Sequence, residues 1–294
     1  MKLIKASAEI IPQSSGLEGI YKHIELAGRT CYKSLDKITE DSAKEFVDRM
    51  IKSEHGAMLE HGTVYLTIPG EHEPDEWGRA DVFVNYKGSY RYNKYSKVVV
   101  EYWEQEPVGT QCEFCKKISR SRLHITTNLR VLVENNWLDD LKYLCEPTEY
   151  HERRITVKFV SDIHFYKDTT RHRVFSWAIE STRFCNYMKE KFGSSVSFLT
   201  PIWLKSEEQE EFENDLKTIE DIYFKWINKG WQAQQAAYFL IQGTKAEIIM
   251  TGFASDYEHF FNLRSDVAQT GKAHPTVIEL VEPLRQEFIK QNLI

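Results

Sequence analysis

Between Arg171 and Arg183 the chain gathers Arg171-His172-Arg173, Ser176, Glu180, Ser181, Thr182 and Arg183 into thirteen residues. Each arginine carries a planar fork of five donors that matches phosphate and carboxylate oxygens and stays charged at any working pH. Two arginines flanking a histidine repel one another unless an anion is near. Phe175, Trp177 and Ile179 are interleaved with these polar residues and call for burial. Charge set into an apolar stretch is what a pocket for a phosphorylated ligand needs, so an anion site is favoured over a solvated basic patch.

Three other groups have chemical potential. His55, Glu60 and His61 lie within seven residues, but the histidines are six apart and do not share one helical face, which argues against a metal site. Cys112-Glu-Phe-Cys115 is a single pair with no second pair or histidine spacing to complete a zinc set, so reduced thiols are the simpler reading. Cys185 follows Ser181 closely, yet no general base is marked for it. Further on, His259, Asn262 and Arg264 share a helix-like segment; taken alone, Arg264 reads as the ion-pair partner of Asp266 or Glu258.

Arg-His-Arg, seven residues, then serine resembles the signature of the flavin-dependent thymidylate synthases, the ThyX family. Ser181 and Arg183 fit its continuation. His55 through Glu60-His61 resembles the family's His-x-x-x-x-Glu-His, and Asn262-Leu263-Arg264 its C-terminal Leu-Arg segment, all in the family's order. The resemblance implies an α/β (α+β) fold in which helices surround a largely antiparallel sheet. It also implies FAD as cofactor, NADPH and 5,10-methylenetetrahydrofolate as co-substrates, dUMP as substrate and a homotetramer that shares its sites. Such a protein is a methyltransferase making dTMP. By the same resemblance, His55, Arg171, His172, Arg173 and His259 face the flavin. Asp168, Arg171, Glu180, Ser181, Arg183 and Arg264 face the nucleotide, with Arg264 polarising the uracil ring.

Three positions depart from that pattern. Relatives often carry Ala-Arg-x-x-Leu-Pro at the end of the long helix, whose arginine binds substrate phosphate; here Ala237 and Ile241 replace the arginine and proline. Losing such a charge-assisted contact costs roughly 1.5–3 kcal/mol unless another cation, for which Lys245 is the candidate, substitutes. Ile179 stands where a polar residue is common, and Phe184 replaces a tyrosine. These changes leave room for two other readings, a methylase of another pyrimidine nucleotide such as UMP and a non-catalytic flavin- or nucleotide-binding homologue.

The elements that position these residues follow from periodicity. Helices are expected over 17–33 and 40–53, the latter capped by Thr39 and stopped by Gly56, and over 124–136. Further helices are expected from Ser206, with Phe212, Leu216, Ile219, Tyr223 and Trp226 on one face, over 256–268 and from Pro275. Strands are expected at the start, at Thr63–Ile68, Asp81–Tyr86, Lys97–Trp103, Arg154–Val160, Ser195–Leu199 and Glu247–Thr251. Residues 70–120 read as an inserted hairpin or loop region within one domain spanning 1–294. The 294 residues carry a net charge of −6, which speaks against binding a nucleic-acid polymer but not against one nucleotide in a locally basic pocket. No apolar run approaches the roughly 20 residues that span a bilayer, and five scattered cysteines suit a reducing, cytoplasmic setting.

Overall fold

The alternation and periodicity noted above become elements in a computed structural model, which describes residues 1–69, 90, 93–105, 118–268 and 271–294. The expected strand Asp81–Tyr86 and the pair Cys112/Cys115 lie outside the described residues. In chain order, the elements begin with β1 (Lys2–Ile4), β2 (Ser7–Ile10), α1 (Gly16–Cys31), α2 (Ser42–Lys52), α3 (Gly56–Leu59) and β3 (Thr63–Pro69). There follow β4 (Lys97–Gln105), β5 (Ile118–Asn128), α4 (Leu129–Glu134), β6 (Arg154–Asp162), α5 (Ile163–Thr169), β7 (Ser176–Ile179) and β8 (Ser197–Leu199). The chain ends with α6 (Gln209–Asn228), α7 (Ala233–Ala236), β9 (Lys245–Phe253), α8 (Ala254–Arg264) and α9 (Pro275–Lys290).

Two antiparallel sheets dominate, ordered β2-β6-β9-β7 and β3-β5-β4, and β1 pairs with β8 in parallel. The fold is therefore mixed helix and largely antiparallel sheet, as expected. On α1, Ile20, Ile24 and Cys31 are buried against Phe46 and Val47 of α2 and Val64 and Leu66 of β3. A second core lies between the four-stranded sheet and helices α8 and α9, built on Phe159, Met250, Tyr257, Phe260, Val281 and Phe288. The aromatic stripe of α6 packs as expected, with Leu216 and Tyr223 buried beside Phe198 and Tyr187. Among the described residues no helix is long and apolar enough to cross a membrane.

Three local expectations are corrected. Residues 124–128 are strand, and only 129–134 is helix. In the β-branched run Ile125-Thr126-Thr127 the first two residues pair with both β3 and β4 and Thr127 with β3, and Asn128 then caps α4 by accepting from the Val131 N–H. Thr39 does not cap α2: the helix starts at Ser42, whose Oγ instead accepts from the Thr39 N–H at 2.9 Å. Gly56 opens the one-turn α3 instead of stopping α2, which has already ended at Lys52.

Candidate functional site

The site is built where β6 hands over to α5. Asp162 ends the strand and its Oδ1 accepts from the Phe165 N–H at 2.7 Å, so the short helix starts at a fixed point. Seven residues later α5 ends, and the chain turns through Arg171-His172-Arg173 into β7. The turn is pinned twice: the His172 N–H donates to the Thr169 carbonyl, and the Trp177 indole donates to the His172 carbonyl at 3.3 Å. β7 pairs with β9, Ser176 opposite Thr251, so the sheet places the Arg-His-Arg turn beside α8, which β9 leads into.

From the last turn of α8, Arg264 reaches across to this turn. Its Nη2 donates to the Asp168 carbonyl at 3.0 Å, its Nη1 to Asp168 Oδ2 at 3.4 Å, and its Nε to His172 Nε2 at 3.2 Å. The carbonyl belongs to the C-terminal turn of α5, where a cation is favoured. The ion-pair partner is thus Asp168, and neither Asp266 nor Glu258. The rings of His259 and Phe260 lie 5.9 and 5.1 Å from that of His172. Burial, reinforced by the positive charge of Arg264, holds the His172 imidazole down to about 4, so at neutral pH it is uncharged and free to accept at Nε2. Arg171 is mostly exposed, its Nη1 3.9 Å from Asp168 Oδ1, and Arg173 is exposed beside it. Asp168, Arg171, His172, His259 and Arg264 therefore come together.

Ser181 and Arg183 form a second set. The Ser181 N–H donates to the Cys31 carbonyl, tying this loop to the end of α1. Arg183 is exposed, its Nε donating to Gln234 Oε1 at 3.0 Å and its guanidinium lying 5.3 Å from the Phe184 ring centre. Gln234 sits three residues before Ala237, so Arg183 and the segment that departs from the family pattern are neighbours. A groove of about 790 Å³ adjoins Phe184; Arg29, Lys37, Arg49 and Lys52 line it together with Tyr32, and no carboxylate is among its lining residues. Among the described residues no hydrogen bond or ion pair joins the two sets.

Other positions are placed differently from the sequence expectation. Glu180 points inward and is buried, accepting from Lys245 Nζ at 2.6 Å, from the Tyr187 hydroxyl at 3.2 Å and from the Glu247 N–H. Lys245 is for the same reason no substitute phosphate cation. Burial works against its charge, but Glu180 and Glu247 outweigh that and push its pKa up, holding the ammonium in the interior. His55 is half-buried at the start of α3, and no hydrogen bond ties it to the Arg264 cluster. Glu60 and His61 are structural: Glu60 accepts from Arg130 and from Ser176 Oγ, and His61 Nδ1 lies 2.9 Å from Thr251 Oγ1. Cys185 is buried.

Residues 146–288 match the sequence profile of the thymidylate synthase complementing protein family. The matched segment is just under half of the chain. Both sets of residues, from Asp168 to Arg264, fall inside the segment, and His55 falls outside it. No curated protein matches the sequence. Among solved structures, the chain is distantly similar to two crystal structures of a UMP/dUMP methylase, PolB, from Streptomyces cacaoi. The form bound with 5-Br dUMP has 12% identity over 99% of this chain and 93% of that one, with a TM-score of 0.43. The form bound with 5-Br UMP has 12% identity over 99% and 92%, with a TM-score of 0.44.

Sequence reasoning did not find the partner of Arg183, Gln234, or the interior role of Glu180. A carboxylate next to the family serine looks the same in sequence whether it faces a ligand or a buried lysine two strands away.

Proposed function

We propose that this chain is a flavin-dependent thymidylate synthase, which methylates dUMP with methylenetetrahydrofolate as carbon donor and NADPH as reductant. The observation that carries the reading is the clamp on Arg264, built from Asp168 and His172 inside the family segment. Three of the five guanidinium N–H groups are taken by those bonds, which leaves two for a ligand. Donated to a uracil carbonyl, they draw electron density from the ring and stabilise negative charge developing there. Because the fork is held on two sides, that donation needs little reorganisation.

The residues fit FAD. Arg171 and Arg173 present exposed forks suited to a diphosphate, and the neutral edge of His172 suits an uncharged heterocycle. Bound flavin supplies the reducing equivalents; the chain binds, orients and polarises. The second set, Ser181 and Arg183 beside a groove lined by cations, suits the substrate phosphate. With no hydrogen bond or ion pair joining it to Arg264 among the described residues, this set suits a site completed by a second copy, as in a homotetramer.

The deciding measurement is the absorbance spectrum of the purified protein, with NADPH oxidation followed with and without dUMP. An oxidised-flavin band perturbed by dUMP, and dTMP as product, are expected; a colourless protein that takes up no FAD overturns the reading. A second reading is a methylase of another pyrimidine nucleotide such as UMP, favoured by Ala237 and by the commitment of Lys245 to Glu180 and Glu247. Comparing dUMP with UMP turnover separates the two, and a strong preference for dUMP eliminates the second.

A further inference from the structure

At the opposite end of α5 from Asp168 lies a cavity of about 360 Å³. Its walls are mainly apolar, with Phe198, Leu199, Phe212 and Ile241 among them. At its polar side stand Asp162, His164, His274 and Glu279, contributed by the ends of β6 and α5 and by α9 and its N-cap. The size is that of a small-molecule site, and a few polar groups converging on an apolar cleft is the usual pattern.

The charges in it are unbalanced. Asp162 is buried and Glu279 half-buried, yet no lysine or arginine is among the lining residues, and neither carboxylate has an ion-pair partner among the described residues. Burial raises the pKa of both carboxyls, and for Glu279 the charge of Asp162 adds to the effect. Buried carboxylates normally have a cation. At Asp162 the neighbouring His164 and His274 offset burial only in part, and its carboxyl stays raised. The His274 Nδ1 accepts from the Thr276 N–H, and burial together with His164 lowers its pKa. The buried Nδ1 of His164 has no hydrogen-bond partner among the described residues. His164, His274 and Trp203 instead make a wall of rings, with centroids 3.9 and 5.6 Å apart in sequence.

We propose that this cavity binds a small aromatic cation, an aryl amidinium or aryl ammonium, with its charged head at Asp162 and Glu279 and its ring against Trp203 and His274. A phosphate or carboxylate ligand is repelled by the two acids. A neutral aromatic leaves both acids desolvated and unpaired. A bare metal ion lacks its ligand set, since no group of three or more His, Cys, Asp or Glu among the described residues is arranged to hold one. The ring wall adds a favourable contact for a cation, since the indole face of Trp203 attracts positive charge. The site is independent of the thymidylate synthase reading, because none of its lining residues belongs to either set.

Titration calorimetry of the full-length protein with benzamidine, benzoate and benzyl alcohol tests the assignment. Benzamidine is expected to bind saturably at one site per chain, benzoate not at all, and benzyl alcohol at least tenfold more weakly. Glu279→Gln, which keeps the shape and removes one charge, is expected to weaken benzamidine at least tenfold, and Trp203→Ala, at a half-exposed position, to weaken it severalfold. Thermal melting of both variants checks that they fold. Arg264→Ala is expected to leave benzamidine binding unchanged. The proposal is overturned if benzamidine shows no saturable binding, if benzoate matches it, or if folded Glu279→Gln binds as wild type does.

Discussion

Arg264 and His172 meet with the guanidinium as donor and the imidazole as acceptor, Nε to Nε2 at 3.2 Å. That polarity requires a neutral histidine with its proton on Nδ1, which burial secures by holding the ring down to about 4. A histidine between two arginines reads in sequence as a third positive charge. In the fold it acts as the uncharged prop for a third arginine from about ninety residues further on, and the local field at Arg264 is set by Asp168.

Replacing Arg264 by alanine removes the donor held toward the ligand but none of the exposed forks of Arg171 and Arg173. Turnover of dUMP is expected to fall by about a hundredfold or more, the usual cost of losing one preorganised charge-stabilising donor, while flavin content after dialysis stays near wild type. Near-normal turnover would falsify the activating role.

Arg173 is exposed and makes no ion pair among the described residues, so its fork is available for an anion. Arg173→Ala is expected to lower the FAD retained after extensive dialysis about tenfold in affinity, with thermal stability unchanged. Unchanged FAD content places the diphosphate elsewhere.

Buried neutral histidines also govern acid stability. His23, Thr156, Thr251 and His61 form a hydrogen-bonded line from α1 across β6 and β9 to the residue before Gly62, with successive distances of 2.8, 2.8 and 2.9 Å. Burial lowers His23 to about 4 and His61 to about 3. The unfolded chain binds these protons near the ordinary pKa of 6.5, so their contribution is fully present above that value and is lost as pH falls toward 4. For His23 alone the drop is about 3 kcal/mol. Urea unfolding at pH 7.5, 5.5 and 4.5 should show a falling free energy, and His23→Gln should flatten the slope. A pH-independent midpoint across that range rules the account out.

Much of this was legible before any coordinates. The faces of α1 and α6 follow from apolar residues at helical spacing, and the Arg-His-Arg and Leu-Arg segments, matched together in the sequence, touch through His172 and Arg264. Where reading failed, the deciding partner was distant in sequence. Residues 124–128 read as the first turn of the helix that follows them, but β3 and β4 flank them and the β-branched side chains fit a sheet; Asn128 was the local sign of the change. Lys245 looked like a spare cation because nothing in its neighbourhood reveals that Glu180 comes to lie 2.6 Å from it.

Ala237 is three residues from Gln234, the acceptor for Arg183, so an arginine at 237 would enter the region where Arg183 already sits. Ala237→Arg is expected to tighten dUMP about tenfold, in line with one added charge-assisted contact. An unchanged Kd means either that the phosphate binds elsewhere or that position 237 does not match the relatives' arginine.

Gly252 offers the most stringent test of how the sheet positions the site. It lies in β9, opposite Ile155 of β6, and the Phe175 ring packs directly over it: a Cβ added there would lie 2.2 Å from Phe175 Cδ1. Glycine inside a strand usually marks such a close approach. Phe175 is buried, its ring in contact with those of Tyr257 and Phe260, and the His172 ring rests against the same Phe260. Gly252→Ala must therefore move Phe175, and with it the turn that carries His172. Overpacking of this kind costs about 1–3 kcal/mol. The variant is expected to melt lower and, while still folded, to lose turnover and flavin together, because the strain enters at the residue joining β7 to the Arg-His-Arg turn. The double variant Gly252→Ala, Phe175→Leu, which frees space at the same point, should recover part of the stability; if it melts lower than Gly252→Ala alone, the Phe175 contact is not the cause.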